Sequence, residues 1–248
     1  MRNILGLALG GSLIFATVAQ AKRGPLVVDA PIEKIFIPDG FDDNDNVEVV
    51  LHGEFPSSCY NIGNATATVD AVSKKVKVQA SALYYPDAIC IQTITPFIHP
   101  VKLGLVPEGE FKVEMQDDPE VTRTLRVKER TTESPDDFLY APVDSATIDI
   151  DFQTGKQSLV LKGRFPFMFI GCMVMQEVEV LRSPSDTLVV LPKAEIVDGE
   201  ACEQQVEDRS YTYRQGLSEP FYGEGLLHVR TLHSSSINQL IDIPDLNP

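Results

Sequence analysis

The sequence predicts an all-β protein of two tandem immunoglobulin-like or fibronectin-like antiparallel β-sandwich domains, each with one intradomain disulfide. Three observations predict it: apolar residues alternate at period two along the chain, landmarks recur at an offset of about 110 residues, and four cysteines fall into two near-equal pairs.

The alternation comes first. In the first half "KIFIP", "VEVVLHG", "TATVDAV", "KKVKVQASA", "CIQTITPFI", "EFKVEM" and "TRTLRVKE" read as strands. In the second half "ATIDIDF", "SLVLKG", "MVMQEVEVL", "TLVVLPKAEI", "QQVEDRSYTY", "LLHVRTL" and "INQLIDI" do. Alternation is plainest in "KVKVQ" and "ATIDIDF", where side chains point by turns to core and solvent. Turn residues separate the runs, as in "PDGFDDNDN", "VPEGE" and "VDGEAC". About seven short strands per half, punctuated at regular intervals, predict a sandwich, with a closed barrel as the alternative. The chain has no tryptophan, so the buried tryptophan of antibody domains is absent.

The repeat comes second. "VEVVLHGEFPSSC" (Val47 to Cys59) matches "QSLVLKGRFPFMFIGC" (Gln157 to Cys172): alternating strand, Gly, charge, Phe-Pro, Cys. Gly53 and Gly163 are 110 apart, the first cysteines of the two pairs 113, the second 112, and Gly109 and Gly225 116. A unit of that length is too long for a solenoid repeat and suits a tandem domain. The expected division is a signal peptide over 1–21, a first domain over 22–130, a linker over 131–143 and a second domain over 144–248. Phe138 and Tyr140 are expected to pack at the junction, and "KRGPLVVDAP" to be a flexible arm or an extra edge strand.

The cysteines come third. Cys59 and Cys90 are 31 residues apart, Cys172 and Cys202 are 30 apart, and CxxC is absent. Equal gaps, one per half, predict the bridges Cys59–Cys90 and Cys172–Cys202 over a zinc site. By chain entropy each bridge contributes about 3–4 kcal/mol.

The N-terminus supplies the address. "MRNILGLALGGSLIFATVAQA" has one early cation, an apolar run and an Ala-Gln-Ala exit, which reads as a secretory signal peptide cleaved after Ala21. Export to the periplasm, outer surface or extracellular space is expected. Without Arg2 the chain holds 20 basic and 36 acidic side chains, a net −16. The net charge divides evenly, −8 over residues 22–138 and −8 over residues 139–248. Such a surface repels phosphate backbones and anionic membranes, and suits a cationic partner.

Candidate chemistry is sparse. Asp42, Asp43 and Asp45 lie in "PDGFDDNDN", an oxygen-rich loop of the kind that holds calcium. The EF-hand pattern fails, because Val47 and Gly53 stand where its glycine and glutamate belong. A solvated acidic turn is the alternative, and no other cofactor is expected. His52 and His228 are expected beside strands, partly buried or at the surface. GxSxG, HExxH and a phosphate-binding glycine loop are missing from the chain after residue 21, so a non-catalytic protein is expected. Tyr84, Tyr85, Tyr211, Tyr213 and Tyr222 are the aromatics that could stack on a sugar. Two apolar stretches stand out as partner-binding candidates: Phe97 and Ile98 in "TPFIHPV", and Phe167, Met168, Phe169 and Ile170, part of which is inserted in the second Phe-Pro-Cys motif. Burial at the domain junction is the competing expectation for both.

The pattern "GEFPSSCY", a second cysteine about thirty residues on and then a Gly-Glu-Phe strand, resembles secreted bacterial tandem Ig-like β-sandwich proteins. The resemblance implies a fold and brings no catalytic residues. Pilus chaperones also pair two Ig-like domains behind a signal peptide, but the basic cleft of that family is not evident here. The function expected is an exported protein-binding or structural module. The alternatives are an inhibitor of a secreted hydrolase, plugging it with a disulfide-braced loop, and a hydrolase.

Overall fold

The computed structural model describes residues 24–166, 172–184, 186–199, 202 and 209–245. In the first half the strands are β1 (Leu26–Asp29), β2 (Ile32–Phe36), β3 (Val47–Phe55), β4 (Tyr60–Asp70), β5 (Lys75–Tyr84), β6 (Thr95–Gly104), β7 (Gly109–Met115) and β8 (Thr122–Val127). In the second they are β9 (Ser145–Ile150), β10 (Gln157–Arg164), β11 (Cys172–Ser183), β12 (Thr187–Val197), β13 (Ser210–Gly216), β14 (Gly223–Thr231) and β15 (Ser235–Ile243). The protein is all-β, as the alternation predicts.

Each half is two sheets around one core. In the first, a three-stranded sheet β2-β3-β6 faces a five-stranded sheet in which β4 flanks β5 on one side and β1 and β7 on the other, with β8 beyond β7. β5 shows why: Val76, Val78, Ala80 and Ala82 point inward and are buried, while Lys75, Lys77 and Gln79 point out. Val76, Val78 and Ala80 meet Val49 and Leu51 of β3, Val101 of β6, Phe111 and Val113 of β7 and Leu125 of β8. Each such side chain stabilises the fold by about 1.5–3 kcal/mol on burial. In the second half β9-β10-β13 faces β11-β12-β14-β15, and Leu159 and Leu161 meet Val190, Leu227, Val229 and Ile241.

The sequence repeat is a repeat of topology. β5 and β7 pair in parallel from Lys75↔Lys112, and β12 and β14 pair in parallel from Thr187↔Leu226. Just before each ladder Lys74 and Asp186 turn with φ of 52° and 56° and accept the first amide, from Lys112 and Leu226 respectively. This register corrects one landmark: Lys112 corresponds to Leu226, so Gly109 is matched by Gly223 and not by Gly225. The Gly-charge-Phe-Pro glycines are also equivalent. Gly53 pairs with Phe97, and Gly163 pairs with Tyr211. A Cβ on Gly53 would lie 1.9 Å from the Pro31 carbonyl oxygen, and one on Gly163 would lie 2.1 Å from that of Pro142. Phe55 and Phe165, two residues on, stack on those paired rings at 4.2 and 4.7 Å. The motif therefore needs glycine to let the preceding chain cross, and phenylalanine to close the sandwich end.

Both bridges form as the spacing predicts, Cys59–Cys90 and Cys172–Cys202. Two expectations change, and a third, left open between a flexible arm and an edge strand, is decided. The stretch "TPFIHPV" is strand β6, paired along β3, and residues 90–94 before it are loop. The segment after residue 24 includes the edge strand β1, held on β5 from Leu26↔Tyr84. The expected linker is tied down at its far end, where the Ala141 amide donates to Pro192 and the Ala194 amide to Leu139. These bonds echo that from Ala30 to Ala80 beside β1.

The halves pack sheet against sheet. Val47, Val49 and Leu51 of β3 enter the first core, so Glu48, Val50 and His52 face the other way. Leu227 and Val229 of β14 enter the second core, so Leu226, His228 and Arg230 face them. Phe36, Val50 and Leu226 are fully buried together, with Ile98 and Leu240 against them. A strand buried on both faces loses its polar alternation, as "VVLHG" and "LLHV" do.

Candidate functional site

The acidic loop before β3 belongs to this junction. The Asp42 amide donates to Asp45 Oδ2 at 3.1 Å, the Asn44 amide to Asp42 Oδ1 at 3.1 Å and the Arg130 amide to Asp43 Oδ1 at 3.1 Å. Asp45 Oδ2 also meets Arg230 Nη1 at 3.2 Å, both side chains being buried. Asp42, Asp43 and Asp45 thus aim at separate donors instead of one shared cage. Among the described residues no group of three His, Cys, Asp or Glu is arranged to hold a metal ion.

Around that pair the polar contacts are dense. The Arg230 guanidinium lies 4.3 Å over the Phe41 ring and donates to the Tyr140 hydroxyl at 3.4 Å. His228 Nδ1 lies 2.8 Å from Asn238 Oδ1 and 3.5 Å from Glu48 Oε1. Ser236 Oγ and Asn238 Nδ2 both donate to Glu48 Oε1, at 2.6 and 2.8 Å. Burial pushes Asp45 up to about 6 although Arg230 opposes it, and pushes His228 down to about 4 although Glu48 opposes it. The space left among these groups, about 20 Å³, is the size of one water. His52 and His228 are therefore corrected: they are buried between the sheets, 3 % and 1 % exposed. Tyr140 is at the junction, as expected, and Phe138 lies at its rim with Lys193 4.2 Å over its ring. The cluster has no room for a substrate, and its chemistry is that of a joint.

The exposed chemistry lies at the disulfide end of the first sandwich. Between β5 and β6 the chain runs Tyr85 to Ile94, and Ile89, Ile91 and Ile94 are 106 %, 71 % and 65 % exposed. Burying each would gain roughly 1.5–3 kcal/mol, so a loose loop would fold them inward. This loop is braced instead. Cys90 is bonded to Cys59, the Tyr85 amide donates to Cys59 O at 3.0 Å, the Ser58 amide to Ile91 O at 3.1 Å and the Ile91 amide to Ser58 Oγ at 2.9 Å. Beneath it four rings, Phe97, Phe55, Tyr60 and Tyr84, stack in series at 4.2, 5.7 and 4.8 Å. From Ala82 to Val101 the one formal charge is Asp87.

The sequence-predicted candidates divide. Phe97 stacks inside this end and Ile98 packs at the junction, both half-buried. Phe167, Met168, Phe169 and Ile170 lie outside the described residues. Among the tyrosines, Tyr84 belongs to the ring stack, Tyr211 donates to Pro142 O at 2.8 Å, and Tyr213 and Tyr222 pack on the second core. The isoleucines are not apparent from the sequence, because "CIQTITPFI" has the composition of a strand while residues 90–94 are loop. The signal that could have found them is "YYPDAIC", a Pro-Asp turn directly before the cysteine.

A comparison with known families matches residues 49–127 to one described as ORF11 beta-sandwich domain. The match runs from β3 to the end of β8, about a third of the chain. No curated protein and no solved structure matches. The chain thus carries, over residues 49–127, a region similar to the ORF11 beta-sandwich domain, in agreement with the two-sheet architecture of its first half.

Proposed function

We propose that this is an exported, non-catalytic protein-binding module built from two Ig-like sandwiches, and that it binds through the isoleucine tip. The observation carrying this reading is the exposure of Ile89, Ile91 and Ile94 on a loop braced by Cys59–Cys90. Several exposed apolar side chains on one short loop favour a contact surface, and a braced loop loses little entropy on binding. Two disulfides support an oxidising destination. The net acidity favours a partner whose apolar site has a basic rim. The partner is another protein of the periplasm, outer surface or medium, with nucleic acid excluded by charge.

The test is affinity capture from the source's exported fraction with the wild type and with Ile89→Asp/Ile91→Asp. One partner held by the wild type and lost by the variant, with unchanged melting temperature, is the expected result. Equal capture by both would remove the tip from the account.

A further inference from the structure

We propose that the tip enters the specificity pocket of a secreted serine endopeptidase that prefers branched aliphatic residues, so that the protein acts as a substrate-like inhibitor; this rests on the reading of the tip as a protein-binding site. Shape is the first argument. Ile89 stands fully clear of the surface, a convex apolar knob that fits a pocket and not a flat face. Endopeptidases read extended backbone, and the stretch from Ile89 to Ile94 is free of turn and bend, while Pro86 to Ala88 form the turn that leads into it.

Bracing is the second argument. Hydrolysis would add one water across the Ile89–Cys90 peptide, leaving a carboxylate on Ile89 and an amine on Cys90. Both product ends would stay tethered to the domain, the Cys90 end by the disulfide and the Ile89 end by a four-residue stretch from Tyr85. Cys90 stays bonded to Cys59, and Ile91 stays paired with Ser58. On the other side, Ile89 follows a turn in which the Ala88 amide donates to Tyr85 O, and Tyr85 is held on Cys59 O. Retained ends keep the site occupied and favour resealing, which separates an inhibitor from a substrate. Preorganisation of this kind raises affinity by removing the cost of ordering the loop.

The side chain names the pocket. Isoleucine would leave the buried carboxylate of a trypsin-type pocket unpaired and would fill a small aliphatic pocket of the elastase type. The rest of the segment from Ala82 to Val101 offers one charge, Asp87, so the rim of the enzyme's cleft is expected to be neutral or basic.

The experiment titrates pancreatic elastase and trypsin with the disulfide-intact chain and reads residual peptidase activity. Wild type is expected to inhibit elastase saturably and leave trypsin active. Ile89→Asp is expected to lose about 100-fold in inhibition constant, and Ile89→Arg to transfer inhibition to trypsin. Ile89 is fully exposed, so both variants should keep the wild-type melting temperature. The proposal is overturned if wild type spares elastase and Ile89→Arg spares trypsin, or if the loop is cut and activity recovers. If that happens while Ile89→Asp/Ile91→Asp still loses its captured partner, the protein-binding reading stands and only the inhibitor falls. If capture is also unchanged, both fall.

Discussion

Arg230 of β14 and Asp45 before β3 meet at 3.2 Å between the two sandwiches, 185 residues apart in sequence and both buried. The pair ties one half to the other, both side chains being buried at the junction. Arg230→Met leaves the buried Asp45 without its counter-ion, so that its carboxyl takes up a proton, and should lower stability by about 1–3 kcal/mol. Replacing both, as Arg230→Met with Asp45→Leu, should recover most of that loss. Chemical denaturation of the single and double variants measures the coupling; equal losses in the two would show that the ion pair is not what holds the junction.

The same junction sets a pH response. Asp45 is raised from 3.8 to about 6, so the folded state binds its proton more readily; this adds stability below pH 4 that is lost as pH rises through 6. His228 is lowered from 6.5 to about 4, so its contribution is present above pH 6.5 and is lost as pH falls through 4. The two oppose each other across pH 4 to 6, which flattens the wild-type curve there. Asp45→Asn leaves the histidine unopposed, and its melting temperature should fall more steeply on acidification than the wild type's. His228→Gln should do the reverse. Parallel curves for all three proteins would contradict the assignment.

The duplicated glycines make a paired prediction. Gly53→Ala and Gly163→Ala each push a methyl onto a proline carbonyl, at 1.9 and 2.1 Å, where backbone must move. Each should cost about 1–3 kcal/mol. Gly216→Ala meets nothing within 4 Å and should be near neutral. Thermal melts of the three alanine variants decide whether the motif specifies fold.

Much of this was legible beforehand, and the misses have physical causes. Alternation located β5 and β9 because each has one wet face, and equal cysteine spacing located both bridges. The junction is signalled in the sequence only at Phe138 and Tyr140 and, as an alternative, at Ile98, since His52, His228 and Arg230 are polar types usually found outside. Only the apolar continuity of "VVLHG" and "LLHV" marks strands covered on both faces. The acidic loop has the composition of a cation site or of a solvated turn, and composition does not show that its carboxylates aim at separate donors. The isoleucine tip was hidden because its residues have the composition of a strand, and only the brace from Ser58 and Cys59 keeps them out.

Removing that brace should separate stability from binding. Cys59→Ser/Cys90→Ser should cost about 2–5 kcal/mol and also weaken partner capture, because the loop can then bury its isoleucines. Cys172→Ser/Cys202→Ser should cost a similar amount and leave capture unchanged wherever the protein is still folded. Denaturation midpoints beside capture yields distinguish the two bridges.

The most direct test compares two exposed apolar positions at opposite ends of β5. A photo-crosslinking residue is placed at Ile89 in one protein and at Val72, 96 % exposed in the turn before β5, in another. Irradiation in the exported fraction should give one discrete adduct from position 89 and none from position 72. Adducts of equal yield from both positions, or from position 72 alone, would contradict the claim that the disulfide-braced tip is where this protein meets its partner.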